Sequence, residues 1–199
     1  MGYTTLLDIL GSIIMGGIIM SIVFRLSNSA TEKTYNNSGE LALQQNLATV
    51  AQIIERDFRR IGFCKDWNKL PDPTKSILYA DESRIKFLTD IEADGNLDSI
   101  DYYIGPTSEL IATENPRDRI LYRVVNNEVP AQSNLGITDF KMIYYDALAD
   151  SISLPISNYG LISSIEINIT IENVSAYDQK YSSAYWRQIR MVARNLKNR

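Results

Sequence analysis

An apolar run from Ile9 to Phe24, standing behind Met-Gly-Tyr-Thr-Thr-Leu-Leu-Asp, constrains this chain more than any other feature. Counted with Leu6 and Leu7, the stretch is about 19 residues, and at about 1.5 Å rise per residue a helix of that length matches the roughly 30 Å hydrocarbon core of a bilayer. One helix therefore suffices to span a membrane. A secretory signal peptide calls for a basic start, a shorter apolar core and a small-residue cleavage site. No Lys or Arg precedes Arg25, and no Ala-x-Ala pattern follows Phe24. A core helix of a soluble protein would carry a polar stripe, whereas this run is apolar on every face, with Ser27, Asn28 and Ser29 directly behind it.

Two details within the span carry chemistry. Asp8 stands near its start, where a carboxylate costs a few kcal/mol at membrane depth unless it is paired or interfacial. Solvation at the helix N-terminus, favoured by the macrodipole, and a specific pairing role both account for it. Ser12 and Gly16, and Gly17 and Ser21, stand four apart, a spacing of small residues that lets two helix backbones approach closely. These five residues are the candidate packing positions.

Composition narrows what hangs from the helix. The 199 residues leave room for one ordinary domain beyond the span. A net charge of −4 argues against a nucleic-acid or anionic-lipid surface, because counterion-release binding needs clustered Lys and Arg. Arg56, Arg59 and Arg60 are interleaved with Glu55 and Asp57 and read as a solvated helix face. The chain has no His and one Cys, so Ser-His-Asp and Cys-His pairs and His-ligated zinc are excluded, as is an internal disulfide. No glycine-rich phosphate loop is present. Cys64 reads as a small buried hydrophobe, and the expectation is that the protein is not an enzyme.

From Glu40, Leu43, Leu47, Val50, Ile54, Phe58 and Ile61 step by three and four, which predicts an amphipathic helix ending at Gly62. Between Arg25 and Gly39 the residues allow either a continuation of the first helix or a break. After Gly62 the period changes to two, with strands predicted at 76–79, 84–88, 99–104, 120–125, 138–145, 164–172 and 185–193. In the sixth, Ile165, Ile167, Ile169 and Ile171 alternate with Glu166, Asn168, Thr170 and Glu172, predicting one buried and one wet face. The expected fold is α+β, a long N-terminal helix followed by a mainly antiparallel sheet. The expected segments are a membrane-spanning region at 1–25, an amphipathic helix and linker at 26–62, and a β-rich domain at 63–199.

One acidic turn has ligand spacing. Asp90, Glu92, Asp94, Asn96, Asp98 and Asp101, with Gly95 at the bend, follow the oxygen-donor spacing of a calcium loop. It lies between two strand patterns, so the other reading is a hairpin turn whose carboxylates face water. Calcium is the only cofactor the sequence suggests.

Gly2 followed by Tyr3-Thr4-Thr5-Leu6-Leu7-Asp8 and the apolar helix resembles the processing region of type IV pilin-like proteins. The resemblance implies cleavage by a prepilin peptidase between Gly2 and Tyr3, methylation of the new N-terminus at Tyr3, and a carboxylate at Asp8 that helps assembly. Here the aromatic is Tyr where Phe is usual, and Asp8 is sixth where the family has its acid fifth. Further on, Ile54-Glu55-Arg56-Asp57-Phe58-Arg59-Arg60-Ile61-Gly62-Phe63 is similar to the signature of the PilW and pseudopilin J group. So, in the same order, are Asp94 to Tyr103, Leu121-Tyr122-Arg123, Phe140 to Asp146 and Ala193-Arg194-Asn195-Leu196. The resemblance implies a minor pilin or minor pseudopilin of a type IV pilus or type II secretion system, at the tip or in initiation. Other pilin-like subunits would be its partners through the N-terminal helix. It would sit as a single-pass protein of the bacterial inner membrane, its domain outside the cytoplasm or in a filament. A membrane-anchored, calcium-dependent binding domain that never polymerises, and a major filament subunit, are the alternative readings.

Overall fold

The computed structural model describes residues 2–173 and 183–191. The Ala193 to Leu196 motif and the end of the last predicted strand lie outside these residues. The chain opens with one helix, α1 (Gly2–Arg59), followed by seven strands: β1 (Ile77–Ala80), β2 (Arg84–Thr89), β3 (Asp98–Ile104), β4 (Arg119–Val125), β5 (Ala131–Tyr145), β6 (Ser164–Glu172) and β7 (Ser183–Met191). This is the α+β order expected from the sequence. Residues 26–59 are all helical, so of the two readings of the linker the continuation is the one observed. Two compact units divide between Leu41 and Ala42, inside the helix.

In the first unit the apolar surface of α1 is exposed on every side, from Leu6, Leu7, Ile9 and Leu10 through Ile22, Phe24 and Leu26. It is the one helix among the described residues long and apolar enough to cross a membrane. Its hydroxyls are satisfied locally: Ser12 donates to the Asp8 carbonyl at 2.7 Å, and Thr31 and Thr34 donate to carbonyls one turn back at 2.9 Å.

In the second unit all seven strands join one antiparallel sheet in chain order. Leu43, Val50, Ile54 and Phe58 of α1, and Ile61 in the turn that follows it, are buried against the inner face, as the three-and-four stripe requires. Phe58 meets Phe87 edge-on, with ring centroids 5.4 Å apart, and Tyr102 at 5.6 Å. Ile165, Ile167, Ile169 and Ile171 line the same core. The opposite face of β6 departs from expectation at Glu166, which is buried and not wet. Its carboxylate accepts from the Tyr145 hydroxyl at 2.8 Å and the Asn168 amide at 3.2 Å, so the charge is hydrogen-bonded rather than hydrated.

The strand β5 is longer than its sequence pattern predicts. Its first half pairs with β4 (Arg123 with Ala131, Leu121 with Ser133) and its second half with β6 (Phe140 with Ile169, Tyr145 with Ser164). The crossover is at Gly136, with φ of +77°, where a Cβ would stand 2.2 Å from the Glu172 carbonyl oxygen. Only glycine accommodates both the left-handed backbone and that approach, and the register shifts beside it, which bends the strand. The bend exposes one edge of β5, and the β1–β2 turn covers it: the Met142 N–H donates to the Glu82 carbonyl at 2.7 Å, and the buried Tyr144 hydroxyl to the Asp81 carbonyl at 2.7 Å. The sheet edge is thereby protected by the chain's own loop.

Candidate functional site

The segment Ile54 to Phe63 is where α1 is fastened to the sheet, and nearly each residue in it has a separate task. Ile54, Phe58 and Ile61 enter the core. Asp57 lies on the same face, because 50, 54, 57 and 61 follow helical spacing. It is 3% exposed, so the reading of this stretch as a solvated face fails at that residue. A carboxylate so placed has to be paired, and it is: one oxygen accepts from the Tyr102 hydroxyl at 2.7 Å and from Arg123 Nε at 2.6 Å, and the other from Arg56 Nε at 3.2 Å. Burial raises the Tyr102 hydroxyl above the ordinary tyrosine range, and the Asp57 charge beside it adds to the shift, so the proton stays on the phenol.

Arg60 also departs from the solvated reading. It donates to the Ile91 carbonyl at 2.7 Å and to the Asp90 carbonyl, capping the β2–β3 loop. The loop is tied back by Thr89 Oγ1 donating to the Arg60 carbonyl at 2.9 Å, Gly62 N–H to Leu88 O at 2.9 Å and Asp90 N–H to Phe63 O at 2.8 Å. Gly62, with φ of +72°, ends the helix as expected. The solvated face is formed by Arg56, which is exposed, and by Glu55 and Arg59, paired across one turn at 2.5 Å. Cys64 is half-buried, not buried, its sulfur 3.8 Å from the Gly95 carbonyl.

The acidic turn folds around its own N–H groups. Asp90 is buried, and its carboxylate accepts from the backbone N–H of Lys65 at 3.1 Å, Asp94 at 3.1 Å and Gly95 at 2.9 Å. Burial alone would raise its pKa, but these N–H donors outweigh burial and hold it below the usual carboxylate range. Asp94 is engaged by the Asn96 backbone and amide, both at 2.7 Å, and Asp98 by Ile91 N–H at 3.0 Å and Asn126 Nδ2 at 2.6 Å. Asp101 sits in β3, bidentate with Arg84 at 2.8 and 3.1 Å. Among the described residues no three acidic, Cys or His side chains converge where they would hold a metal ion. As arranged, the carboxylates of Asp90, Asp94, Asp98 and Asp101 each accept hydrogen bonds from the chain itself. Thermal melts with millimolar calcium and with chelator are therefore expected to coincide. A rise of several degrees in calcium that is lost in Asp94→Ala would restore the calcium reading.

A second buried carboxylate has no such cradle. Asp118, 1% exposed, makes no well-formed hydrogen bond through either oxygen. Burial raises its pKa above the ordinary carboxylate range, opposed by the Arg119 N–H and the Thr113 hydroxyl and reinforced by Glu172. Between the unfolded and folded pKa values the native state holds the extra proton, so this group costs stability as pH rises through that window. Asp118→Asn is expected to melt higher than the parent at pH 7 and to lose that advantage at pH 3. An unchanged difference across pH would show that the carboxylate charge is not the cause.

In the first unit, Gly2, Tyr3, Asp8, Ser12, Gly16, Gly17 and Ser21 all fall on α1. Asp8 is exposed. A Cβ at Gly11, Gly16 or Gly17 would meet nothing within 4 Å, so the helix has open flanks there. Gly16, Gly17, Met20, Ser21 and Phe24 line a shallow groove along it.

The described residues thus comprise a helix of membrane length, exposed in its first part, and an antiparallel sheet domain, an arrangement that fits a pilin-associated class of protein. The family model of prepilin peptidase-dependent protein B (PpdB) matches residues 36–191, most of the sheet domain and its docking helix. The chain belongs to that family, a pilin-related one rather than a family of enzymes. No individual curated protein matches it.

Proposed function

We propose that the chain is a minor pilin-like subunit, of the PilW and pseudopilin J kind, that assembles with other pilin-like subunits in a pilus or pseudopilus. The observation that carries this reading is the helix surface from Leu6 to Leu26, apolar and exposed all round, on a chain of the prepilin peptidase-dependent family. In lipid that surface is solvated by acyl chains. In a filament it exchanges them for neighbouring helices, and Ser12, Gly16, Gly17 and Ser21 supply the close approach. The protein would wait in the inner membrane with its sheet domain outside the cytoplasm, be processed between Gly2 and Tyr3, and use Asp8 to meet a neighbour's terminal amine.

The test is the N-terminus of the protein from its native membrane, read by peptide mass spectrometry. The expected sequence starts at Tyr3 with a methylated amine. An intact Met1, or a cut after Phe24, would remove the pilin reading.

A further inference from the structure

We propose that the connection between β3 and β4 is an acid-closed latch: a proton on Asp118 keeps residues 113–118 seated against the end of β6, and loss of that proton lets them lift. The seat is the carboxylate of Glu172, the last residue of β6. Its Oε2 accepts from Asn115 Nδ2 at 2.9 Å and from Arg117 Nε at 2.9 Å, and Arg117 Nη2 stands 2.8 Å from the same oxygen. Asn115 also shapes the turn. Its Oδ1 accepts from the Arg117 N–H at 3.0 Å, and its carbonyl from the Asp118 N–H at 3.1 Å and the Thr113 hydroxyl at 3.2 Å.

Asn115 and Asp118 are each 1% exposed, but only Asn115 is fully served. Both oxygens of Asp118 are enclosed and neither meets a well-formed donor, so an ionised Asp118 is a buried charge without compensation, the costly case. The groups around it do not repair this. On its own loop Arg117 is committed to Glu172, Glu114 is exposed and carries a like charge, and Arg119 contributes its backbone N–H. From β6 the facing group is Glu172, a second like charge. On β5 the residue opposite Arg119 is Ile137, and the first ionisable one beyond it, Asp139, pairs with Lys141 at 3.5 Å. Ser183 of β7, opposite Glu172, is neutral.

A proton removes the buried charge and its repulsion from Glu172, and it supplies an O–H donor for which the neighbouring Thr113 hydroxyl is the acceptor. Without the proton, the carboxylate regains water only where residues 113–118 leave Glu172. Opening that short segment exposes far less apolar surface than unfolding the sheet, so the response is local. The open segment has an ordinary carboxyl and the closed one a raised carboxyl, so opening is favoured as pH rises between the two values and levels off above the higher. The latch lies wholly in the sheet domain and does not depend on processing at Gly2 or on the filament reading.

The experiment is amide hydrogen exchange read by mass spectrometry on the full chain in detergent micelles, at about pH 4 and about pH 7, with each rate divided by that of an unstructured peptide at the same pH. Peptides covering residues 113–118 should lose about tenfold in protection between the two, while peptides around Ile167 in β6 keep theirs. Asp118→Asn, of the same shape and without a titrating group, should hold the parent's acid-side protection at both pH values. Glu172→Gln, which removes the like charge and keeps an acceptor for Asn115, should shrink the difference. Equal protection of 113–118 in the parent at both pH values, a pH difference that survives in Asp118→Asn, or a loss shared equally by the Ile167 peptides would overturn the latch.

Discussion

Replacing Asp57 with Ala is expected to lower the melting temperature by on the order of 10 °C. Removing one partner of a buried ion pair costs about 3–5 kcal/mol, and a kilocalorie shifts a domain of this size by about 2–4 °C. The cost arises from what is left behind. Arg123, one-fifth exposed, keeps a guanidinium facing the core without its 2.6 Å partner, and the buried Tyr102 hydroxyl loses its acceptor. Asp57→Asn retains the shape and one acceptor and should lie between the two. The double variant Asp57→Ala with Arg123→Met should recover much of the loss, because an apolar pair of similar volume needs no charge compensation. Glu55→Ala, which breaks only the solvent-facing pair with Arg59, should change stability by less than about 0.5 kcal/mol. If Asp57→Ala melted like Glu55→Ala, the helix would not be fastened to the sheet through this carboxylate.

The contrast between Asp57 and Glu55 also shows what sequence can and cannot reveal at this site. Both sit in a charged run, and charge alone assigns both to solvent. Periodicity separates them: position 57 falls on the Val50, Ile54, Ile61 stripe and position 55 does not, so burial of Asp57 was legible. Its partners were partly legible too, since Tyr102 and Arg123 stand two residues from Ile100 and Leu121 and so share the inner faces of β3 and β4 with them. What periodicity could not supply is register, because the meeting of residues 57, 102 and 123 depends on how the strands align.

The same limit explains β5 and the acidic turn. Gln132, Ser133, Asn134 and Gly136 carry little strand propensity, and their strand state comes from pairing with β4, a tertiary effect. The oxygen spacing from Asp90 to Asp101 is real, yet spacing along a chain does not fix which donors reach the oxygens first. Here the backbone N–H groups of residues 65, 94 and 95 satisfy Asp90, and Arg84 takes Asp101. A loop with calcium spacing becomes a turn stabilised by its own amides.

Where period and burial agree, the expected effects are largest, and Ile167 is the clearest position. It is fully buried in the middle of β6, paired with Met142 of β5 on one side and Gln188 of β7 on the other. Ile167→Asp removes an aliphatic side chain worth about 1.5–3 kcal/mol of burial and inserts a carboxyl among apolar side chains. Together these terms approach the about 5–15 kcal/mol that holds an ordinary domain folded. The sheet domain should lose its near-ultraviolet circular dichroism and its cooperative melt. Helical far-ultraviolet signal from the apolar part of α1 should persist in micelles, because that helix draws on lipid-like solvation and not on the sheet. Ile111→Asp, placed where the parent side chain is 82% exposed, should leave both signals intact. Retention of a native-like melt by Ile167→Asp would mean that β6 turns its isoleucines outward, and the inner face of the sheet would have to be reassigned to Glu166 and Asn168.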